Sequence, residues 1–205
     1  MKVKICGIQD EATAKATVEA GADFIGFVFA ESKRKITVER AKQIAEHIPS
    51  SVMKVGVFVN PSIEELEDTI REVGLDYAQL HGDESPEFCQ LASVPVIKSF
   101  PIKEEKDVET AANYNVDYYL FDSPGGKYRG GSGLTFNWQM VKEVDIVKEK
   151  VIVAGGLKPE NVEAAIEEVE PAIVDVSSGV ETDGVKDIAK IETFIKRAKK
   201  EESAK

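Results

Sequence analysis

Two side chains with complementary chemistry each stand at the end of an apolar segment. Cys6 ends the first such segment, and Asp122 follows a run of aromatic and aliphatic residues. A thiolate can remove a carbon-bound proton and a protonated carboxyl group can donate one, so the two could act as general base and general acid. A small core residue is the alternative for Cys6, and a turn cap is the alternative for Asp122.

Two charged residues are predicted to lie on the same strand faces as candidate site residues. Residues two apart on a strand point the same way, so Lys4 should lie on the face of Cys6, and Asp175 on the face of Ser177. An inward lysine is costly unless it is paired, which predicts a Lys4–Asp175 ion pair beneath the site. The pair could be purely structural, or Lys4 could also stabilise a Cys6 thiolate.

Two glycine-bearing turns could hold an anion through backbone N–H groups. Each follows an apolar run late in the chain, where barrels built from βα units commonly bind phosphate after strands seven and eight. Simple turn chemistry is the alternative. The predicted phosphate-binding residues are Gly155 and Gly156 in one turn and Ser177, Ser178 and Gly179 in the other.

Three further segments offer polar groups close to strand ends. Arg34 could pair bidentately with a carboxylate, although basic loop residues are usually solvated. Gln79 and His81 end a fourth apolar run and are candidate substrate ligands, with a hydrogen-bonded structural histidine as the alternative. The loop from Ser123 to Gly133 is nearly half glycine, which favours an active-site lid over a plain linker.

A repeated scaffold must position these residues. Apolar runs rich in β-branched residues alternate with helical segments, and we count eight such βα units. The pattern predicts an α/β fold, a (β/α)8 TIM barrel spanning residues 1–205 as a single domain, with its site at the C-terminal strand ends. A doubly wound open sheet usually has about five or six strands and a glycine fingerprint after the first strand, which is missing here.

The predicted boundaries follow from the apolar periodicity and from capping signals. Ser62 with Glu65 forms a capping-box pattern, Pro159 suits a first helical turn, and Gly21 and Gly74 suit helix ends. The predicted strands are Lys2–Gly7, Asp23–Ala30, Met53–Asn60, Asp76–Gly82, Pro95–Ile102, Asp117–Ser123, Lys150–Gly156 and Ala172–Val180. The predicted helices are Asp10–Ala20, Thr37–Ile48, Ile63–Val73, Ser85–Ala92, Glu105–Asn113, Phe136–Val144, Pro159–Val169 and Asp187–Lys200, followed by a polar tail from about Lys199.

Composition limits the partners. The net charge of −11 argues against binding nucleic acid or an anionic membrane. No segment reaches the roughly 18 apolar residues of a membrane span, and no signal-peptide pattern opens the chain, so we expect a cytoplasmic protein. Cys6 and Cys89 are expected to be free thiols, and no zinc spacing appears, so no metal site is predicted.

Taken together, the motifs resemble the phosphoribosylanthranilate isomerase family over nearly the whole chain. The segments that carry the resemblance are Lys4–Ile8, Gly26–Phe29 with Ser32–Arg34, Val57–Asn60, Gln79–Gly82, Gly130–Gly133, Gly155–Leu157 with Pro159–Val162, and Val174–Val180. Leu134 and Asn137 depart from the usual Gly-Gly-Ser-Gly-Lys-Thr-Phe-Asp-Trp pattern, which bears on lid anchoring and a helix start rather than on the reaction type.

The resemblance implies an enzyme of tryptophan biosynthesis whose phosphosugar substrate undergoes an Amadori rearrangement. It implies that Cys6 is the general base, Asp122 the general acid and Arg34 the ligand of the anthranilate carboxylate, with the two glycine turns holding phosphate. No metal or organic cofactor is implied, and we expect a monomer or a homodimer.

The implied roles need unusual protonation states, because a free thiol has a pKa of about 8.5 and a free aspartate one of about 3.9. A neighbouring Lys4 is predicted to favour the thiolate, and apolar neighbours such as Phe121 together with lid closure are predicted to favour protonated Asp122.

Two other functions fit parts of the pattern. The histidine-pathway isomerase runs the same rearrangement with two aspartates, and Cys6 in place of a strand-one aspartate argues against it. A catalytically silent barrel that binds a phosphorylated metabolite would keep the glycine turns without needing Cys6 and Asp122.

Overall fold

Eight parallel strands follow one another around a closed barrel in chain order, and β1 closes the ring by pairing with β8. The computed structural model describes residues 1–123, 137–142 and 146–200. The strands are β1 (Lys2–Cys6), β2 (Phe24–Val28), β3 (Met53–Phe58), β4 (Tyr77–Leu80), β5 (Val96–Pro101), β6 (Tyr118–Asp122), β7 (Val151–Val153) and β8 (Ile173–Val176). The predicted TIM barrel is confirmed.

Helices connect consecutive strands, as parallel pairing requires. They are α1 (Glu11–Glu19), α2 (Val38–Ala45), α3 (Ile63–Val73), α4 (Pro86–Cys89), α5 (Glu105–Ala111), α6 (Gln139–Lys142), α7 (Val162–Val169) and α8 (Ile188–Lys199). The capping signals of α3 are confirmed: Ser62 accepts a hydrogen bond from the Glu65 N–H, and Gly74 ends the helix in the left-handed conformation.

Several predicted boundaries were wrong where turns interrupt the periodic pattern. The helix α4 ends at Cys89 instead of Ala92. The helix α7 begins at Val162 rather than Pro159, because Asn161 builds a turn before it by accepting from the Lys158 N–H and donating to the Gly156 carbonyl.

The last two strands also end earlier than predicted. After β7, Gly155 and Gly156 turn the chain with φ of 77° and 65°, values that favour glycine. After β8, a 3-10 turn (Ser178–Val180) leads into an antiparallel hairpin of β9 (Glu181–Thr182) and β10 (Val185–Lys186), which the sequence analysis missed.

The buried residues form a layer between strands and helices and a smaller cluster inside the barrel. The smaller cluster draws on six strands, so its side chains can meet only in the interior: Phe24, Val55, Ile97, Leu120, Ile152, Ala154 and Ile173. In the part of the chain that the structure describes, no helix has the length and apolar character needed to cross a bilayer.

Candidate active site

Cys6 ends β1 in an apolar setting at the C-terminal mouth of the barrel. Its side chain packs with Val28 and Val57, and the residue is only 7% exposed. Gly26 on the neighbouring strand makes room for it, because a β-carbon there would lie 2.8 Å from the Cys6 sulfur. Both Cys6 and Cys89 are free thiols.

The predicted ion pair is present beneath this thiol. Lys4 Nζ lies 3.0 Å from Asp175 Oδ1, and the lysine is fully buried. Burial lowers the pKa of Lys4, but Asp175 and the nearby Cys6 outweigh that effect and leave the pKa above its ordinary value. Lys4 is therefore an ammonium group at neutral pH.

This ammonium does not by itself convert Cys6 into a resting thiolate. Burial raises the pKa of the Cys6 thiol, Lys4 opposes the rise, Asp175 adds to it, and Lys186 opposes it, with a net increase. Lys4 favours the thiolate, in the predicted direction, but burial of the thiol and the charge of Asp175 act against it and keep the pKa of Cys6 above its ordinary value.

Asp122 ends β6, and its two carboxylate oxygens face different neighbours. Oδ2 lies 3.5 Å from Nε2 of His81. Oδ1 lies 3.4 Å from the Ser123 hydroxyl, and a β-carbon on Gly155 would come within 2.6 Å of it. Asp122 is 5% exposed, so the carboxyl group is nearly enclosed but lies directly against the first glycine turn.

The two glycine turns and Asp122 border one pocket. Its lining residues are Asp122, Ala154, Gly155, Gly156, Leu157, Asp175, Val176, Ser177 and Ser178. Gly179 lies outside this lining, where a β-carbon would come within 1.8 Å of the Leu157 carbonyl oxygen. Four of the five predicted phosphate residues therefore meet in the pocket, and Gly179 packs the two turns together.

Arg34 is held by an acidic side chain from the hairpin. Its Nε and Nη2 donate to Glu181 at 2.6 and 2.8 Å, and its aliphatic chain crosses Gly7, where a β-carbon would lie 2.6 Å from Cδ. These hydrogen bonds, which Glu181 accepts, raise the pKa of Arg34. Arg34 thus lies beside the end of β1 with two of its three guanidinium nitrogens already paired.

Lys186 is the second basic residue that pairs with Glu181. It donates to the Ser177 carbonyl at 2.9 Å and approaches Glu181 Oε1 at 2.5 Å. Burial lowers the pKa of Lys186, against the influence of Glu181. Sequence analysis missed Glu181 and Lys186; Asp183-Gly184 between two short segments is a hairpin signal that could have drawn attention to them.

Gln79 and His81 lie on and just after β4. Gln79 is 2% exposed, and its side-chain nitrogen lies 3.0 Å from Nδ1 of His81. The loop that carries His81 is fixed from below by a buried pair, Lys98 and Glu84, 3.1 Å apart; Lys98 also donates to the Gly82 carbonyl. These contacts hold the loop in which His81 lies 3.5 Å from Asp122.

The other predictions concern the lid. The predicted lid and Leu134 lie outside the described residues, apart from Ser123 at its start. Asn137 accepts a hydrogen bond from the Gln139 N–H as α6 begins.

Among residues 1–123, 137–142 and 146–200, no group of histidine, cysteine, aspartate and glutamate could hold a metal ion.

Comparison with known proteins adds independent findings. A family model described as N-(5'phosphoribosyl)anthranilate (PRA) isomerase matches residues 3–197. A Bacillus mycoides protein named N-(5'-phosphoribosyl)anthranilate isomerase is 54% identical over 200 residues, covering 97% of this chain and 98% of that protein.

Solved structures of similar proteins agree with the barrel. Phosphoribosyl anthranilate isomerase from Thermotoga maritima is similar with a TM-score of 0.90 and 42% identity, covering 98% of this chain and 99% of that one. Another isomerase structure, in complex with reduced 1-(o-carboxyphenylamino)-1-deoxyribulose 5-phosphate, has a TM-score of 0.86 and 40% identity, covering 98% and 99% of the two chains.

Proposed function

This chain belongs to the N-(5'-phosphoribosyl)anthranilate isomerase family, an enzyme family of tryptophan biosynthesis, and we propose that Cys6 and Asp122 carry out its reaction. The substrate is N-(5-phosphoribosyl)anthranilate, which an Amadori rearrangement converts to 1-(2-carboxyphenylamino)-1-deoxyribulose 5-phosphate. The observation that carries the proposal is the meeting of Asp122 with both glycine turns in one pocket, close to the Lys4–Asp175 pair beside Cys6.

Ring opening is the first step. Asp122 donates its proton to the furanose ring oxygen, the bond from C1 to that oxygen breaks, and the nitrogen lone pair forms the C=N bond of a protonated Schiff base. Asp122 is left as a carboxylate. We assign delivery of the proton to Oδ1, because this oxygen faces Gly155 in the pocket wall.

Proton abstraction follows. The Cys6 thiolate takes the proton from C2 of the ribose, the C2 electron pair forms a C=C bond, and the C=N electrons move to nitrogen, which gives an enolamine. The enolamine then tautomerises to the ketone, with a proton added at C1 and the C2 hydroxyl proton lost, and proton exchange with solvent returns Cys6 to the thiolate and Asp122 to the protonated form. The reaction is an internal isomerisation and leaves the atoms of the substrate unchanged in number.

The proposed mechanism needs a Cys6 thiolate and a protonated Asp122, which are the opposite of the states that the free side chains have at neutral pH. A Cys6 thiolate with protonated Asp122 holds as many protons as a Cys6 thiol with an Asp122 carboxylate, so the ratio of the two forms does not change with pH. Lys4 and Lys186 favour the thiolate form of Cys6. The rate should therefore be highest where the pair holds one proton.

The phosphate of the substrate is proposed to bind the main chain of Gly155, Gly156 and Ser178, with Gly179 holding the turns together. Gly156→Ala adds a β-carbon at a left-handed residue next to the anion and should raise KM about tenfold or more, because bonds to a charged group contribute roughly 1.5–3 kcal/mol. Steady-state kinetics measure this effect, which should appear mainly in KM.

The matched control for this variant is Gly74→Ala. Gly74 has φ of 70°, close to the 65° of Gly156, and a β-carbon there meets no atom within 4 Å. It therefore carries similar backbone strain at the end of α3, away from the mouth. Equal KM values in folded Gly156→Ala and Gly74→Ala proteins would show that the phosphate does not bind at this turn.

Arg34 is proposed to bind the anthranilate carboxylate. The pair with Glu181 uses Nε and Nη2, so the ligand binds through Nη1 or displaces Glu181. Arg34→Met should weaken binding of a carboxylate-bearing product analogue by about tenfold or more, as measured by calorimetry, and should affect the analogue without the carboxylate much less. Lys186 remains to pair with Glu181 in this variant.

A second arginine provides the control. Arg40 pairs with Glu11 on the exposed surface, so Arg40→Met should leave both affinities unchanged. An equal loss of affinity for both analogues in Arg34→Met would mean that Arg34 does not bind the carboxylate.

The remaining expectations stay predictions. They are a single domain over residues 1–205, a cytoplasmic location, no binding of nucleic acid, and a monomeric or homodimeric state. A turnover assay distinguishes an enzyme from a catalytically silent barrel that only binds a metabolite. The assay follows the loss of substrate fluorescence after the protein is added.

A further inference from the structure

In the side-chain amide of Gln79, the nitrogen contacts a partner and the oxygen has none among the described residues. Its nitrogen lies 3.0 Å from Nδ1 of His81. Its oxygen Oε1 is buried and has no hydrogen-bond partner among the described residues. Since this amide contacts Nδ1 of the imidazole, its orientation decides whether Nδ1 accepts or donates a hydrogen bond.

The burial of Gln79 favours one orientation over its reverse. With the amide as placed, the unpartnered group is a carbonyl oxygen, and under-satisfied carbonyl groups are tolerated in protein interiors more often than unpaired N–H groups. The reversed amide would bury an NH2 group in the same place and leave its two donors unmet. The amide therefore donates to Nδ1, and Nδ1 carries no hydrogen.

The other nitrogen of the ring faces an acceptor. Nε2 of His81 lies 3.5 Å from Oδ2 of Asp122. The donor at Nδ1 requires a lone pair on that nitrogen, and the carboxylate beside Nε2 requires a hydrogen there, so together they select the neutral Nε2–H tautomer. An imidazolium would need a second hydrogen on Nδ1, where the Gln79 NH2 group already points.

We propose that Gln79 is a positioning residue that fixes His81 as the neutral Nε2–H tautomer, so that His81 donates a hydrogen bond to Asp122 after Asp122 has released its proton. The inference rests on the proposed role of Asp122 as general acid. The bond to Oδ2 stabilises the carboxylate formed by ring opening and leaves Oδ1, at the pocket wall, to carry the transferable proton.

The tautomer can be read directly by NMR. The chain has two histidines, and the second, His47, places Nδ1 2.9 Å from the Gln43 carbonyl, which favours the opposite tautomer. In uniformly 15N-labelled protein, long-range 1H–15N correlation should show a pyrrole-type Nε2 and a pyridine-type Nδ1 for His81. The variant His47→Gln assigns the two signal sets. A pyrrole-type Nδ1 on His81 would overturn the inference.

A variant of Gln79 tests the consequence for catalysis. Gln79→Met keeps the length and apolar stem but removes the donor, so the His81 signals should move toward a mixture of tautomers. We expect kcat to fall about tenfold, the effect of losing one hydrogen bond to a charged group, with KM nearly unchanged. A folded Gln79→Met protein with wild-type kcat would contradict the inference, as would unchanged His81 signals.

A double variant separates this inference from the proposed function. If Gln79 acts through Asp122, adding Gln79→Met to Asp122→Asn should cause no further loss of kcat, whereas a full additional tenfold loss would show that Gln79 acts elsewhere. If Asp122→Asn alone is fully active, the proposed general acid is wrong. The wild-type His81 spectrum still reports the tautomer in that case, because it does not depend on turnover.

Discussion

Cys6→Ala should lower kcat at least about 100-fold, the usual scale for loss of a general base, and should leave KM nearly unchanged. The alanine removes the Cys6 sulfur at the end of β1 while the Lys4–Asp175 pair and the glycine turns remain. Cys6→Ser should be almost as damaging, because a hydroxyl group is much harder to ionise than a thiol. Steady-state and single-turnover kinetics give the two parameters.

Cys89→Ala is the matched control for the cysteine variants. Cys89 lies in α4, and burial raises its pKa to about 11, so it is an inert thiol that should be replaceable without loss of kcat. A Cys6→Ala protein that turns over as fast as Cys89→Ala would exclude Cys6 as the base.

The same thiol should titrate above the ordinary range in the free enzyme. Burial raises the pKa of Cys6, so the thiolate fraction is small at neutral pH and grows as the pH rises. In the Cys89→Ala protein, alkylation of Cys6 by iodoacetamide should therefore accelerate with pH to a midpoint above about 8.5, the value of a free thiol. A midpoint below that value would mean that Lys4 outweighs burial.

The profile of kcat/KM against pH should be bell-shaped in the wild type. Activity is lost at low pH, where Cys6 and Asp122 are both protonated, and at high pH, where neither is. Because the active form has one proton on the pair, its population is greatest at pH values between the two limbs.

Asp122→Asn is the second variant with a large expected effect. An amide cannot release a proton to the ring oxygen, so ring opening should become rate-limiting and kcat should fall at least about 100-fold. Substrate binding should change little, since the asparagine keeps the shape of the side chain. Single-turnover kinetics should show that the substrate accumulates with its furanose ring closed.

Asp117 offers a control on the same strand system. It accepts a hydrogen bond from the Val96 N–H at the opposite end of the barrel from Asp122, so Asp117→Asn should affect stability but not kcat. Matching activity in the two variants would show that ring opening does not need Asp122.

The barrel and much of its mouth were predictable because they depend on local periodicity. Alternation on β1 and β8 placed Lys4 and Asp175 inward, and the cost of burying an unpaired ammonium group then predicted their ion pair, which the structure contains. The glycine turns were predictable from the glycines themselves, although the predicted strands ran through both turns and the structure ends β7 at Val153 and β8 at Val176.

The contacts that depend on tertiary placement were not predictable in this way. Glu181 reaches Arg34 across 147 positions of the chain, and only the hairpin geometry brings them together. The protonation of Cys6 depends on how completely the thiol is buried and on how far Asp175 offsets Lys4. Neither quantity is encoded in the spacing of residues along a strand.

The most direct test of the central claim is the decay of phosphoribosylanthranilate fluorescence after the protein is added to freshly prepared substrate. We expect rapid decay with the wild type and with Cys89→Ala, and decay at least about 100-fold slower with Cys6→Ala and with Asp122→Asn. A folded wild-type protein that leaves the fluorescence at its spontaneous rate would contradict the proposed function, and fast decay with either variant would contradict the assignment of base and acid.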